Sequence, residues 1–127
     1  MYQQINLHDG LLTEISIREK DVLLKVKQVD GTLCRIVLND VLVFKADDFL
    51  MGNIILDIRF FTLNEVNQSE LTQLMGSLYD DGIVNDVIIK QSTSEKRVYF
   101  ELNPSYGCQI TSICSSINID PIPEGNI

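Results

Sequence analysis

Val22-Leu-Leu-Lys25-Val26-Lys27-Gln28-Val29-Asp30-Gly31-Thr32-Leu33-Cys34-Arg35-Ile36-Val37-Leu38 is the stretch on which the fold turns. Leu24 and Val26 alternate with Lys25 and Lys27, and on the far side of Asp30-Gly31, Cys34, Ile36 and Leu38 alternate with Arg35. A period of two with charge on one side marks a half-buried strand. Asp-Gly between two such runs is the residue pair of a two-residue hairpin, because both central positions of a type I′ turn need positive φ. The stretch is therefore an antiparallel hairpin with one wet face.

The same period spreads outward. Leu11 to Arg18 sets Thr13, Ile15 and Ile17 against Glu14, Ser16 and Arg18, and Glu19-Lys20-Asp21 turns it into the hairpin. Beyond Asn39-Asp40, Val41 to Ala46 points Leu42, Phe44 and Ala46 inward. Asp47-Asp48-Phe49-Leu50-Met51-Gly52 breaks the pattern, and its apolar triplet is expected to plug one end of the core. Asn53 to Leu63 follows as the longest strand, with Ile54, Leu56, Ile58 and Phe60 on one face and Asp57 and Arg59 on the other. Short connections between successive strands favour antiparallel neighbours.

The period then changes. Leu71, Leu74, Met75, Leu78 and Tyr79 form one apolar stripe at helical spacing, which predicts a helix over 68–79. Asn67 is placed to cap it, Glu70 completes a capping box, and Val66 with Leu71 occupies the staple positions. Gly82 is the expected stop, and Gly76 within the helix suggests close approach to the sheet. Val84 to Gln91, Arg97 to Leu102 and Cys108 to Ile119 read as further strands, with Thr93-Ser94-Glu95 as a hairpin loop and Pro104 to Gly107 as a turn. A phase slip in the last strand calls for a bulge near Thr111-Ser112, which leaves Cys114 facing outward. The expected fold is α+β. It is mainly antiparallel β-sheet of about seven or eight strands, strongly curved or barrel-like, with one amphipathic helix near 68–79. A single domain spans 1–127, with 120–127 as a frayed tail.

Composition narrows the function. The 127 residues carry a formal net charge of −8. Residues 47–86 hold Asp47, Asp48, Asp57, Glu65, Glu70, Asp80, Asp81 and Asp86 against Arg59 alone. Nucleic acid binding needs clustered Lys and Arg, so this balance argues against it and toward a basic protein partner. No apolar run reaches the length of a membrane span, and Met1-Tyr2-Gln3-Gln4 does not open like a signal peptide; the cytoplasm is expected. Cys34, Cys108 and Cys114 show neither CxxC spacing nor an even number, so they read as buried apolar residues rather than as a disulfide or zinc framework.

Few residues suggest chemistry. His8-Asp9 could be a general base with its carboxylate, but neighbours on an extended chain point apart, and the pair fits a polar turn before the first strand. Asp47-Asp48 and Asp80-Asp81 lack the spacing of a calcium loop. Asp80-Asp81 also sits at the negative end of a helix dipole, an unfavourable place for acids unless they meet something basic. Phosphate loops, nucleophile elbows and metalloprotease motifs are absent. No catalytic residue, metal site or cofactor is expected.

Leu7-His8-Asp9-Gly10-Leu11-Leu12, Phe49-Leu50-Met51-Gly52-Asn53-Ile54-Ile55-Leu56-Asp57 and the late Tyr106-Gly107 turn resemble a diffuse group of small bacterial β-rich proteins. Some of these are classed as immunity proteins of toxin systems. The resemblance implies a protein that works by binding and carries over no catalytic residue. Together with the charge it leads to a non-enzymatic cytoplasmic protein, an immunity protein that neutralises a basic toxin domain. The surface expected to carry this is Asp47, Asp48, Tyr79, Asp80, Asp81 and Asp86, and pairing of two copies through an edge strand remains open. The alternative is a β-barrel-like module that holds an apolar ligand among its inward side chains. An enzyme built on His8 is the third reading.

Overall fold

The computed structural model describes residues 5–123. Met1 to Gln4, on which the reading of the N-terminus rests, lie outside the described residues, as do 124–127 of the expected tail. In chain order the strands β1 (Leu11–Arg18), β2 (Asp21–Lys27), β3 (Leu33–Asn39), β4 (Val43–Asp47) and β5 (Asn53–Thr62) come first. A 3₁₀ turn (Leu63–Glu65) leads to helices α1 (Gln68–Leu74), α2 (Gly76–Asp80) and α3 (Asp86–Ser94), and then to strands β6 (Val98–Tyr106), β7 (Gln109–Cys114) and β8 (Ser116–Pro121). All recorded pairings are antiparallel, in one eight-stranded sheet of order β4-β7-β6-β5-β1-β2-β3-β8.

That order forces curvature. β3 and β4 stand six places apart, as do β7 and β8, which in a flat sheet is a lateral distance of about 29 Å. Asn39 and Val43 are separated by only three residues, and Cys114 and Ser116 by one, so the chain can reach about 14 Å and 7 Å respectively. The sheet must curl until its ends approach. The corner is hydrogen-bonded: Leu42 N–H donates to the Ile113 carbonyl at 2.8 Å and Ser115 N–H to the Asn39 carbonyl at 2.9 Å. The sheet is nonetheless not a closed barrel. It ends at β4 and β8, and β1 meets β5 only at Leu11 and Leu12.

Curling gives the sheet an inner core and an outer one. Inside the curl pack Leu12, Leu24, Val26, Cys34, Ile36, Leu38, Ile55, Phe100, Leu102, Ile110 and Cys114, none above 2% exposed. On the other face of β6 and β7, Tyr99 and Ile113, with Val43 of β4, meet Leu63, Leu71, Met75, Leu78, Val84 and Ile89 from the helical segment. β6 and β7 are therefore buried on both sides along much of their length.

Several expectations are corrected. Val84 to Gln91 is not a strand; Asp86 to Ser94 is helix α3, so Thr93-Ser94 close a helix rather than a hairpin. The β-branched run Val87-Ile88-Ile89 favours a strand by propensity. Asn85 overrides it by accepting a bond from Ile88 N–H, and burial of Ile89 and Ser92 fixes one face. The single helix over 68–79 is two, α1 and α2, broken at Met75 (φ −93°, ψ 15°). Its stripe and its Asn67 cap are as read: Leu71, Met75 and Leu78 are buried, and Asn67 accepts from Glu70 N–H. Gly82 ends α2 at φ +74° in a Schellman arrangement, with Ile83 N–H bonding the Leu78 carbonyl and its own N–H the Tyr79 carbonyl.

Irregularities in strand register account for the other corrections. A shift between Leu12 and Glu14 turns Leu12 inward and leaves Thr13 exposed. Shifts on both sides of Ile55 bury that residue and leave Leu56 46% exposed. In β4 it is Val43 that is buried, not Ala46. The slip in the last strand falls at Ser115, between β7 and β8, so Cys114 points into the core. Pro104 to Tyr106 continue β6, and Asp120 and Pro121 belong to β8 rather than to a tail. The Asp30-Gly31 hairpin exists, but its loop is longer than two residues. Gln28 N–H bonds the Thr32 carbonyl across Val29, Asp30 and Gly31, with Gly31 at φ +90°.

Phe49-Leu50-Met51 is not a plug. The three side chains are 47%, 47% and 104% exposed. What fills that end is Asn53, 2% exposed, whose Oδ1 accepts from Leu50 N–H (2.8 Å) and Cys108 N–H (3.1 Å). Its Nδ2 donates to the carbonyls of Leu50 (2.8 Å) and Leu12 (3.2 Å). One amide thus joins β1, the 48–52 loop and the start of β7. Gly107, at φ +88°, lets the chain pass: a Cβ there would lie 2.5 Å from Asn53 Oδ1.

Two stability measurements test this account. Asn53→Ala leaves buried donors and acceptors unpaired and should lower the unfolding free energy in urea by about 2–4 kcal/mol. Gly76, expected to permit close approach, has open space where a Cβ would stand. Gly76→Ala should therefore raise stability by about 0.5–1 kcal/mol in the same titration.

Candidate functional site

The outer face of β5, β6, β7 and β4 is ruled by register. Phe61, Tyr99, Ile113 and Val43 form one cross-strand row, which lies under the helices. The next row is Arg59, Glu101, Thr111 and Lys45. Beyond it come Asp57, Asn103, Gln109 and Asp47, with Gln109 Nε2 donating to Asn103 Oδ1 at 3.4 Å. Apolar contact thus gives way, within two residues along each strand, to a polar ledge at the edge of the helical layer.

Glu101 anchors the ledge. Only 8% exposed, it accepts from Arg59 at 3.1 Å, Asn103 at 3.2 Å and the Tyr99 hydroxyl at 2.9 Å. The Tyr99 hydroxyl is also 3.0 Å from the Leu74 carbonyl, so it ties β6 to the end of α1. Burial, with the Glu101 carboxylate beside it, raises the Tyr99 pKa well above the ordinary phenol range. A buried carboxylate with three donors and a tyrosine held protonated form a satisfied structural network.

The sequence-selected acids come together next to this ledge. Lys45 Nζ bonds Asp81 Oδ2 and lies 3.6 Å from Asp47 Oδ2. The Asp81 hydrogen bond, with Asp47 adding to it against some desolvation, raises the lysine pKa and keeps it charged. Asp48 and Asp80 adjoin these two acids in the chain, and both are exposed. Tyr79, one residue before Asp80, donates to Asp86 Oδ1 at 3.0 Å, which raises its own pKa. Contacts therefore join Asp47 and Asp81 through Lys45, and Tyr79 to Asp86, at the C-terminal end of α2, with Asp48 and Asp80 next to them in the chain. Lys45 was missed because it lies two residues before the acidic window and 36 positions from Asp81 along the chain.

His8 stands elsewhere. Its Nδ1 is 2.8 Å from the Leu56 carbonyl and its Nε2 3.6 Å from Asp9, both side chains being well exposed. Asp9 has φ +62° and its N–H bonds the Ile55 carbonyl, so the pair shapes the turn into β1. Among the described residues no three His, Cys, Asp or Glu side chains are grouped as a metal site would need. No described helix is long and apolar enough to cross a membrane. Comparison of the chain with family models, with curated proteins and with solved structures gives no match.

The cysteines are all buried and unpaired. Burial pushes each thiol up to about 11, and a thiol so shifted is protonated, and poorly nucleophilic, at neutral pH. At pH 8 the native protein should show no fast-reacting thiol toward a disulfide reagent, and all three should react once urea unfolds it. A rapid native equivalent would contradict this.

Proposed function

We propose that this is a non-enzymatic binding protein that meets a basic protein partner through the acidic end of α2, in the manner of an immunity protein neutralising a toxin domain in the cytoplasm. The observation that carries the reading is the meeting of Asp47 and Asp81 on one lysine, Lys45, with exposed Asp48 and Asp80 adjoining them in the chain and Asp86 held by Tyr79. Lys45 serves two carboxylates, so negative charge remains. Asp80 also stands at a helix C-terminus, where an acid weakens the helix unless another contact compensates, as Lys45 does for Asp81 beside it. Arrayed exposed charge of one sign raises the encounter rate with an oppositely charged surface and fixes orientation there.

The apolar-ligand reading has less behind it. A hollow of about 390 Å³ is lined by Leu11, Val29 and Ile54 together with Asp9, Lys27 and Gln28, but it lies on the exterior, where Leu11 and Val29 are exposed, rather than among the inward side chains of the curl.

The test is co-expression with the product of the adjacent gene, scored as rescue of growth, followed by calorimetry of the purified pair. Reversal of Asp47, Asp48, Asp80, Asp81 and Asp86 to lysine should weaken binding by about 100-fold or more and abolish its dependence on salt. An unchanged affinity would remove this surface from the interface.

A further inference from the structure

We propose that Phe49-Leu50-Met51 is a rigid apolar finger that inserts into a pocket on that same basic protein partner, with Asp47 and Asp48 gripping the pocket's cationic rim. The inference rests on the proposed protein-binding function and names the part of the surface that anchors it.

Three observations support it. First, the triplet projects: Met51 is 104% exposed, with Phe49 and Leu50 at 47%, whereas a folded chain normally leaves only scattered large apolar groups in water. Second, the exposed tip is held rather than loose. Asn53 pairs with Leu50 as a strand would, accepting from its N–H and donating to its carbonyl at 2.8 Å each. The same amide is locked to Leu12 and Cys108. A preformed tip loses less conformational freedom on docking, which is how short apolar anchors come to dominate interfaces. Third, charge chooses the occupant. Asp47 and Asp48 precede the tip directly, and Asp47 shares Lys45 with Asp81, so the finger continues the acidic surface described above. Those carboxylates repel an anionic lipid surface, and a net charge of −8 opposes the approach of a second copy. A basic-rimmed apolar pocket on another protein answers both features.

The experiment places p-benzoylphenylalanine at Met51, and in a control at Val87, which is 71% exposed on α3. Both full-length proteins are irradiated in the source cells, and the adducts are identified by mass spectrometry. The expected adduct forms at position 51 and not at 87, joins a protein of basic isoelectric point, and disappears with Asp47→Lys and Asp48→Lys. That protein is then purified, and its affinity is measured against the double variant Phe49→Ala, Met51→Ala. A loss of about tenfold or more is expected, with the urea midpoint of the variant little changed because Met51 is fully exposed and Phe49 only half-buried. An adduct only to lipid, only to a second copy, or to nothing overturns the proposal. So does full affinity of the double variant; if charge reversal still weakens binding, the acidic surface stands and the finger alone falls. Conversely, if reversal of Asp80, Asp81 and Asp86 is silent while the double variant fails to bind, the finger stands and the wider surface falls.

Discussion

β3 runs into β4 through three residues, and β7 into β8 through one, yet within the sheet the members of each pair stand six strands apart. A flat sheet cannot satisfy that connectivity, so curvature follows from chain length before any side chain is considered. The rest of the architecture is a consequence. The curl gathers the inward aliphatic side chains of β1, β2, β3, β5, β6 and β7 into one core, and it brings the 40–42 corner against Ser115. Arg97 reinforces that corner, donating to the Asp40 carbonyl at 2.8 Å and to Glu95 at 2.6 Å.

The outer face of the curl cannot be left as it is. Tyr99, Ile113 and Val43 form an apolar row on the convex side, and the three helices bury it. Register ends the row sharply, since Glu101, Thr111 and Lys45 stand two residues further along. The helical layer therefore stops at a polar border, and α2 ends above Lys45. The acidic surface is a by-product of where the apolar contact runs out. Its position is fixed by cross-strand register, and its sign by the acids that happen to close α2 and β4.

Asn53 plays the corresponding part where β4 leads into β5. A buried amide that makes four hydrogen bonds lets three segments meet where no regular ladder could satisfy their backbone groups. It also frees the apolar triplet from any duty in the core. An end that reads as sealed by Phe49, Leu50 and Met51 is sealed by a polar side chain, and the apolar residues stay outside.

The sequence by itself determined the period-two strands around Asp30-Gly31, the antiparallel sheet, the stripe Leu71-Met75-Leu78 with its Asn67 cap, and the acidity of the middle third. Each is written in neighbours a few residues apart, where local sterics and amphipathic spacing act. The tertiary structure decided what depends on distant partners. It made Val87-Ile88-Ile89 helical against their strand propensity because the convex face needed cover, which Ile89 supplies. It set the true inward faces of β1 and β5 through register shifts, each of which reverses every side chain beyond it. It joined Lys45 to Asp81 across 36 residues and Asn53 to Cys108 across 55. No local period encodes such contacts, because the energy that selects them exists only once the sheet has curled and the separated segments share one low-dielectric interior.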